Sequence, residues 1–377
     1  MNFESLGIDE KLVETLKKQG IKVPTDIQVA AIGKLLEGRN LIINSATGSG
    51  KTLAYLLPIL QKIDPEMSVT QALIVVPTRE LALQIRDVAH AFEVANKRTS
   101  LAVYGGKSSS NQLKHLEKNP HIIVATPGRL MDFLAQNKLD FAHIDHVVID
   151  EVDQLLLAGF RPEIEQIFMA IPGAAQTIFA SATISSQVNK LAHRYAFKPE
   201  LCDLSKTVKG QMKPNIKQEI VLTNDRQKFP ALLRVLAEDH PYMAIIFCRT
   251  KRRANELLAK MKKYQLDADV IHSDIAQNKR ERILKTFKKG DLQYLIATDV
   301  AARGLDIDFI THIYNFDIPE SLEVYIHRIG RTARGVADGT SLTFVCENDD
   351  DMFKTIKGKF ATELIDRDVK IGQNKAL

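Results

Sequence analysis

Cysteine is scarce in this chain: Cys202, Cys248 and Cys346 are the only three among 377 residues. An odd number at spacings far from any zinc-ligand pattern argues against a disulfide framework and against a metal knuckle, and reads as buried thiols. Long apolar runs are missing as well. Nothing approaches the roughly 18 consecutive apolar residues of a membrane span. The opening MNFESLGIDEKL has acids where a secretory signal needs a basic start and an apolar run. A cytoplasmic protein without a membrane partner is expected. No long basic or arginine-glycine tail and no appended recognition domain is evident. What remains is average for a globular protein, 45% hydrophobic and 26% charged, which excludes disordered and fibrous classes. At this length one core is too few, and two domains of roughly 150 to 200 residues are expected.

The net charge of +5 is unevenly spread. Residues 1–205 hold 21 Lys and Arg against 22 Asp and Glu, whereas residues 206–377 hold 30 against 24. In the second half the cations cluster at Arg249, Lys251, Arg252 and Arg253 and again at Lys279, Arg280, Arg282, Lys285, Lys288 and Lys289. Such clusters suit a phosphate backbone, and equally a solvated helix face.

Short Val- and Ile-rich runs recur between helical patterns: LIIN at 41–44, ALIVV at 72–76, HIIVA at 121–125, HVVID at 146–150 and TIFAS at 177–181. Strands buried on both faces read this way, so the first half is expected to be a parallel sheet with crossover helices. The rhythm restarts with MAIIF at 243–247, DADVIH at 267–272, QYLIA at 293–297, THIYNF at 311–316 and GTSLTFV at 339–345. The expected fold is α/β, two tandem domains, each a parallel sheet flanked by helices. The first spans 1–205 and the second 218–365. Between them, 206–217 reads as a linker with few large apolar residues, and 366–377 reads as a short polar tail that frays.

LIIN runs into SATGSGKT (Ser45 to Thr52) and then an apolar helix. This order of strand, glycine-rich turn and helix is what phosphate binding requires. Thr47, Gly48, Ser49 and Gly50 form a turn whose amides converge on phosphates at a helix N-terminus. Lys51 adds a point charge, and Thr52 is placed to ligate Mg²⁺. Ninety-nine residues after Lys51, HVVIDEVD ends a strand in three carboxylates, Asp150, Glu151 and Asp153. Beside a phosphate loop, Asp150 would hold the hydrated Mg²⁺ and Glu151 would orient and deprotonate the attacking water. The pair reads as a nucleotide hydrolase site that works with Mg²⁺.

With these residues in view, the chain resembles the DEAD-box ATP-dependent RNA helicases from Phe3 to about Val345, and compact, core-only bacterial members in particular. The resemblance implies two RecA-like domains that clamp single-stranded RNA, hydrolyse ATP in response to it and locally unwind short duplexes. GIKVPTDIQ looks like the family's Q motif. There Gln28 would read the adenine edge and Phe3 would stack on the ring. Pro77, Thr78 and Arg79 of PTRELA, the doublet Gly105 and Gly106, and Thr126, Pro127, Gly128 and Arg129 of TPGR would grip the RNA backbone. Ser181 and Thr183 of SAT would couple hydrolysis to RNA through Asp153. In the second domain Arg249, Gln277, Arg280 and Thr298 would contact RNA. Arg303 would tie to the acidic motif, and Asp306 would take a ribose hydroxyl. His327 would contact the acidic motif, and Arg331 and Arg334 would be arginine fingers on the γ-phosphate.

Four positions depart from the family pattern: Ser45 for Ala, Val152 inside DEVD for Ala, Ser273 after His272 for Gly, and Ala333 in RTAR for Gly. The last two put fine geometry at issue, since Ala333 restricts φ between the two fingers and slower hydrolysis would follow. A DNA-directed translocase and an ATP-gated RNA clamp remain alternatives. The chain reads as a monomer. Ribosome-assembly and RNA-decay factors are the partners that compact relatives leave open.

Overall fold

The computed structural model describes residues 1–45, 48–93, 97–106, 109–204, 216–302, 307, 309–333, 338–361 and 363–369. It divides into two compact units, Met1–Lys209 and Gly210–Leu377. In the first, strands β1 (Leu41–Asn44), β2 (Ala72–Val75), β3 (Ser100–Val103), β4 (Ile122–Ala125), β5 (His146–Asp150), β6 (Gln176–Ser181) and β7 (Glu200–Asp203) alternate with helices. These are α1 (Glu10–Lys18), α2 (Asp26–Leu36), α3 (Lys51–Lys62), α4 (Arg79–His90), α5 (Ser109–Leu116), α6 (Pro127–Ala135), α7 (Val152–Leu157), α8 (Arg161–Ala170) and α9 (Ser186–Tyr195). The strands pair in parallel in the order β3-β4-β2-β5-β6-β1-β7.

The second unit carries β8 (Ile216–Leu222), β9 (Ala244–Phe247), β10 (Ala268–Ile271), β11 (Tyr294–Ala297), β12 (His312–Asn315), β13 (Gly339–Val345) and β14 (Leu364–Asp366). Its helices are α10 (Lys228–Asp239), α11 (Lys251–Lys263), α12 (Gln277–Lys288), α13 (Asp299–Ala302), α14 (Leu322–Ile329) and α15 (Asp350–Phe360). Its order, β10-β11-β9-β12-β13-β8-β14, reproduces the first sheet strand for strand when β8 is set on β1. The strand pairs are again parallel.

Alternation along each strand decides which core a side chain joins. Leu41 and Ile43 face one layer with Leu12, Ile27, Leu56 and Ile85, while Ile42 faces the other with Leu130, Phe133, Ile164 and Val188. The second sheet divides Ile246 from Ile245 and Phe247 in the same way. Each such side chain, fully buried, contributes roughly 1.5–3 kcal/mol, so both sheets are held from both sides. The ten strands expected from Val- and Ile-rich runs are all present. Four more, β3, β7, β8 and β14, were not anticipated, and three of them (β3, β7 and β14) lie at sheet edges. β8 begins inside the stretch read as linker. The tail does not begin as free chain: Asp366 is still in β14, and Arg367 bonds Glu219, Asp239 and Glu238 at 2.8–2.9 Å.

The amino-terminal edge of the first sheet is pinned by polar side chains. The His146 ring meets Gln176 Oε1 at 3.1 Å, and Gln176 Nε2 donates to the carbonyls of Leu35 and Arg39 at the end of α2. Burial pushes the His146 imidazole down to about 4 from its ordinary 6.5, with nearby Lys62 adding to the shift. The unfolded chain therefore takes up a proton below pH 6.5 that the native state refuses. Stability contributed by neutral His146 is complete above pH 6.5 and is lost as pH falls towards 4, by ~3 kcal/mol. Denaturant titrations between pH 7 and pH 4 should show this loss, and His146→Gln should flatten it. An unchanged acid limb in the variant would remove His146 from the account.

Candidate functional site

Because all strands of a sheet run the same way, their carboxyl ends share one edge, where loops can converge. Strand order then sorts the loops of the first unit. β5, β6 and β1 lie side by side and carry the acidic motif, SAT and the phosphate loop. The adjacent trio β2, β4 and β3 carries PTRELA, TPGR and the Gly105-Gly106 doublet.

In the phosphate loop Gly48 and Gly50 hold φ of 78° and 93°, a region that favours glycine. A Cβ on Gly50 would come within 2.6 Å of Gln28 Nε2. Gln28 itself is buried, its Oε1 accepting from Thr25 N at 2.9 Å and its Nε2 donating to the Gly50 carbonyl at 3.1 Å. The amide expected to read adenine is here a strut between α2 and the loop. Lys51 Nζ donates to the Ser45 carbonyl at 2.5 Å. Burial lowers its pKa, while Asp150, Glu151 and Asp153 work in the opposite direction.

Asp150 closes β5. Its Oδ2 accepts from the Tyr55 hydroxyl at 2.8 Å and its Oδ1 from Glu151 N. Burial raises its carboxyl to about 6 although Lys51 opposes the shift, so an anion is being kept where water does not stabilise it. Glu151 sits at φ 50°, ψ 49°, a left-handed conformation that an L-residue adopts at a cost, and its Oε2 is buried without a partner. A strained carboxylate with an unused oxygen suits a group awaiting a ligand. Val152, the departure from the family pattern, points into the hydrophobic layer with no exposure, so its methyls are absorbed by the core. Asp153 Oδ2 accepts from Thr183 N at 3.1 Å and Thr183 Oγ1 at 2.7 Å, which ties the acidic motif to SAT. Ser181 reaches the Thr183 carbonyl instead, and its own carbonyl accepts from Ser45 N.

Two expected contacts meet a different geometry. Phe3 is 1% exposed, packed into the core with Ile8 and Leu12, and presents no open face for a nucleotide ring. Apolar burial has taken the ring assigned to stacking. Arg79 is 7% exposed, its guanidinium 4.4 Å above the Tyr104 ring, so the cation assigned to phosphate lies within the fold. Thr78 caps α4 by accepting from Leu81 N, and Pro77 is half-buried beside it. Gly106 and Gly128 are exposed, Thr126 precedes α6, Pro127 opens it, and Arg129 pairs with Asp132 at 3.4 Å. Thr47, Arg303, Asp306 and Arg334 lie outside the described residues.

At the equivalent edge of the second sheet, Arg249, Thr250, Lys251, Arg252, Ser273 and Thr298 line one concave pocket. Asp317 fixes its rim: Oδ2 accepts from Arg249 N at 3.0 Å and from Arg253 Nε at 3.0 Å. Gln277 opens α12, and Arg280 NH2 donates to the Ala301 carbonyl at the end of α13. Ser273 stands exposed at the pocket wall, where a glycine was the family expectation. His327 and Arg331 are buried on and just beyond α14. Between these residues lies one that sequence reasoning passed over. Arg328 is 2% exposed, paired twice with Asp299 (2.5 and 2.8 Å). It also donates to Asn315 Oδ1 and the Asp317 carbonyl and stacks 4.9 Å over Phe247. It thus joins the segment before Arg331 to the segment carrying Thr298. The signal was present as a third arginine in the same ten residues, and its spacing alone did not separate a pin from a finger.

Ala333 adopts φ 54° and is buried. A side chain there opposes the left-handed backbone by about 1 kcal/mol. Ala333→Gly should raise the thermal midpoint by about 2–4 °C. An unchanged or lowered midpoint in calorimetry would show the strain to be relieved already. For Arg328, removing its partner leaves a buried, unpaired charge, so Asp299→Ala should cost about 3 kcal/mol in a urea titration. A loss below 1 kcal/mol would make the pair a surface contact in effect.

The DEAD/DEAH box helicase family matches residues 25–191, and the helicase conserved C-terminal domain matches residues 227–336. The ATP-dependent RNA helicase CshA of Listeria monocytogenes is 41% identical over 91% of this chain and 66% of its own length. The DEAD-box ATP-dependent RNA helicase CshA of Geobacillus kaustophilus is 40% identical over 91% and 73%. Among solved structures, Saccharomyces cerevisiae Dbp5 bound to RNA and ADP BeF3 superposes with a TM-score of 0.88 at 28% identity, covering 97% of this chain and 95% of that one. Mss116p bound to ssRNA and AMP-PNP gives 0.86 at 31%, covering 97% and 78%. With relatives at this identity along nearly its whole length, and two sheets of one RecA-like topology, the chain belongs to the DEAD-box ATP-dependent RNA helicase family.

Proposed function

We propose that this protein binds ATP in its first unit and single-stranded RNA across the strand-end loops of both units, and that it uses RNA-stimulated ATP hydrolysis to separate short RNA duplexes. The observation that carries the reading is the carboxyl edge of the first sheet. There a glycine cradle, a half-buried lysine, a carboxylate raised by burial and a strained glutamate with an unused oxygen converge. Such a set suits a triphosphate and little else of biological abundance.

In the mechanism, the amides of the loop and Lys51 would hold the phosphates, drawing the ammonium from the Ser45 carbonyl. Glu151 would orient water and accept its proton. Arg331, with Arg334, would supply positive charge from the second unit as the γ-phosphate leaves. Gln28 would meet adenine only by exchanging one of its present partners. Asp150 and Thr52 fit Mg²⁺, which is usually held by one or two carboxylates with waters and phosphates. When bound, it neutralises phosphate charge. Thr183 on Asp153 would carry the state of the acidic motif towards the RNA loops. The pocket at Arg249, Lys251 and Thr298 suits a phosphate backbone, to which Gln277 at the start of α12 would add a contact.

The domain limits that support this division are 1–205 and 218–365, with the second extended to Ile216 at the start of β8 and to Arg367. Three cysteines with free thiols support a reducing, cytoplasmic setting. A monomer acting with ribosome-assembly or RNA-decay factors fits a core of this size.

Glu151→Gln decides the reading. Turnover measured as phosphate release should fall by ~10²–10⁴, while RNA binding in the presence of a non-hydrolysable ATP analogue persists. Phosphate release from the parent protein that ignores added single-stranded RNA would contradict RNA-stimulated hydrolysis. Equal competition by DNA would favour a DNA-directed motor.

A further inference from the structure

Helix α12 follows Ser273, a residue of the second unit's pocket, in the chain. Its first turn lies four residues beyond Ser273 and is tied to α13 by Arg280. Ile283, Leu284 and Phe287 fix the buried side of the helix. At 100° per residue the opposite side is centred on Arg282, Lys285 and Lys289, spaced i, i+3 and i+7. All three are exposed and line a stripe roughly 10 Å long. Lys279 and Lys288 flank it.

Three observations set this face apart from an ordinary solvated one. On α8, α10 and α11, surface arginines find a partner one turn on: Arg161 with Glu165, Arg234 with Glu238, Arg252 with Glu256. Arg282, Lys285, Lys288 and Lys289 make no ion pair among the described residues. Second, the spacings Arg282–Lys285 and Lys285–Lys289 bring like charges together, each destabilising a helix by roughly 0.2–0.5 kcal/mol. Third, the helix dipole accounts for Lys285 and Lys288 in the last turn, but Lys279 and Arg280 occupy a first turn that holds no acid, where the dipole opposes them. Glu281, one turn before Lys285, offsets part of this self-repulsion, and a polyanion would relieve the rest.

We propose that the Arg282, Lys285 and Lys289 face of α12 is a second RNA track, which holds the phosphate backbone of RNA continuing beyond the strand gripped at the Arg249 pocket. The track rests on the RNA-binding reading above. It lengthens the footprint along the strand without reading bases, and it favours long RNA over short.

The test uses the full chain with a non-hydrolysable ATP analogue and fluorescent oligouridines of about six and about twenty nucleotides. The triple variant Arg282→Gln, Lys285→Gln, Lys289→Gln should bind the six-mer as the parent does and keep six-mer-stimulated ATP hydrolysis. It should bind the twenty-mer at least tenfold more weakly, and the slope of log affinity against log salt should be shallower by about 2, or ~0.7 per lost phosphate contact. A control, Lys262→Gln with Lys263→Gln on α11, removes exposed charge elsewhere and should leave the twenty-mer affinity within twofold. The track is overturned if the triple variant matches the parent on the twenty-mer, if it loses both RNAs equally, or if the control loses as much. A parent that binds neither RNA overturns the helicase reading together with the track. A parent that binds both while the variant does too overturns the track alone.

Discussion

Charge placed at the carboxyl edge of a parallel sheet has to be matched there, because burying an ion without a partner costs several kcal/mol. Both units place a lysine at the first position of the helix after their first strand: Lys51 opens α3 and Lys228 opens α10. In the second unit the matching is internal. Lys228 meets Asp317 at 3.4 Å over the Phe316 ring, Arg253 meets the same carboxylate, and Arg328 is doubly paired with Asp299. In the first unit the matching is left open. Asp150 is driven towards its neutral form, and Glu151 keeps an oxygen with no partner. One topology, used twice, thus gives a site filled by its own side chains and a site that a phosphate chain completes.

The same duplication explains how the edge can serve two ligands. In the first sheet, β1, β6 and β5 hold the nucleotide loops, and β2, β4 and β3 hold the loops that resemble RNA contacts. Asp153 and Thr183 join neighbouring strand ends on the nucleotide side, so a shift of the acidic motif must move SAT with it. In the second sheet, Arg328 makes an equivalent tie across β9, β12 and α13. Coupling needs rigid links of this kind, with partners that cannot be exchanged for water.

Much of this was legible in the residues. The ten anticipated strands, nine inside the sheets and β10 at an edge, announced themselves because burial on both faces favours Val- and Ile-rich runs. The edge strands β3, β7 and β14 are three or four residues long and each includes a polar residue, as SLAV, ELCD and LID show, and periodicity is silent there. β8 was missed for a related reason, since IKQEIVL carries Lys217, Gln218 and Glu219, two of which are buried only because Arg367 and other side chains partner them. At the site, the glycines and carboxylates were readable from spacing, because backbone approach and phosphate charge dictate them. What spacing could not supply was competition for a side chain: Phe3 is claimed by the core, Arg79 by Tyr104, and Gln28 by its own helix cap. Ala333 is the converse case, where the absence of a glycine in the sequence foretold a strain that appears as φ 54°.

Strain at Glu151 and Ala333 has one feature in common, which bears on rate. Glu151 carries a charge that the proposed function assigns to the γ-phosphate, Ala333 lies two residues from another, Arg331, and both Glu151 and Ala333 are held in a left-handed backbone. At Glu151 the conformation turns the carboxylate out of the strand line while Val152 anchors the next residue in the core, so the cost maintains an orientation. At Ala333 the methyl is simply buried. Strain that orients a reacting group lowers the barrier it serves, whereas strain that orients nothing only narrows the range of motion next to Arg331. A chain that keeps the first and adds the second should therefore bind nucleotide like its relatives while being slower to bring its arginine to bear.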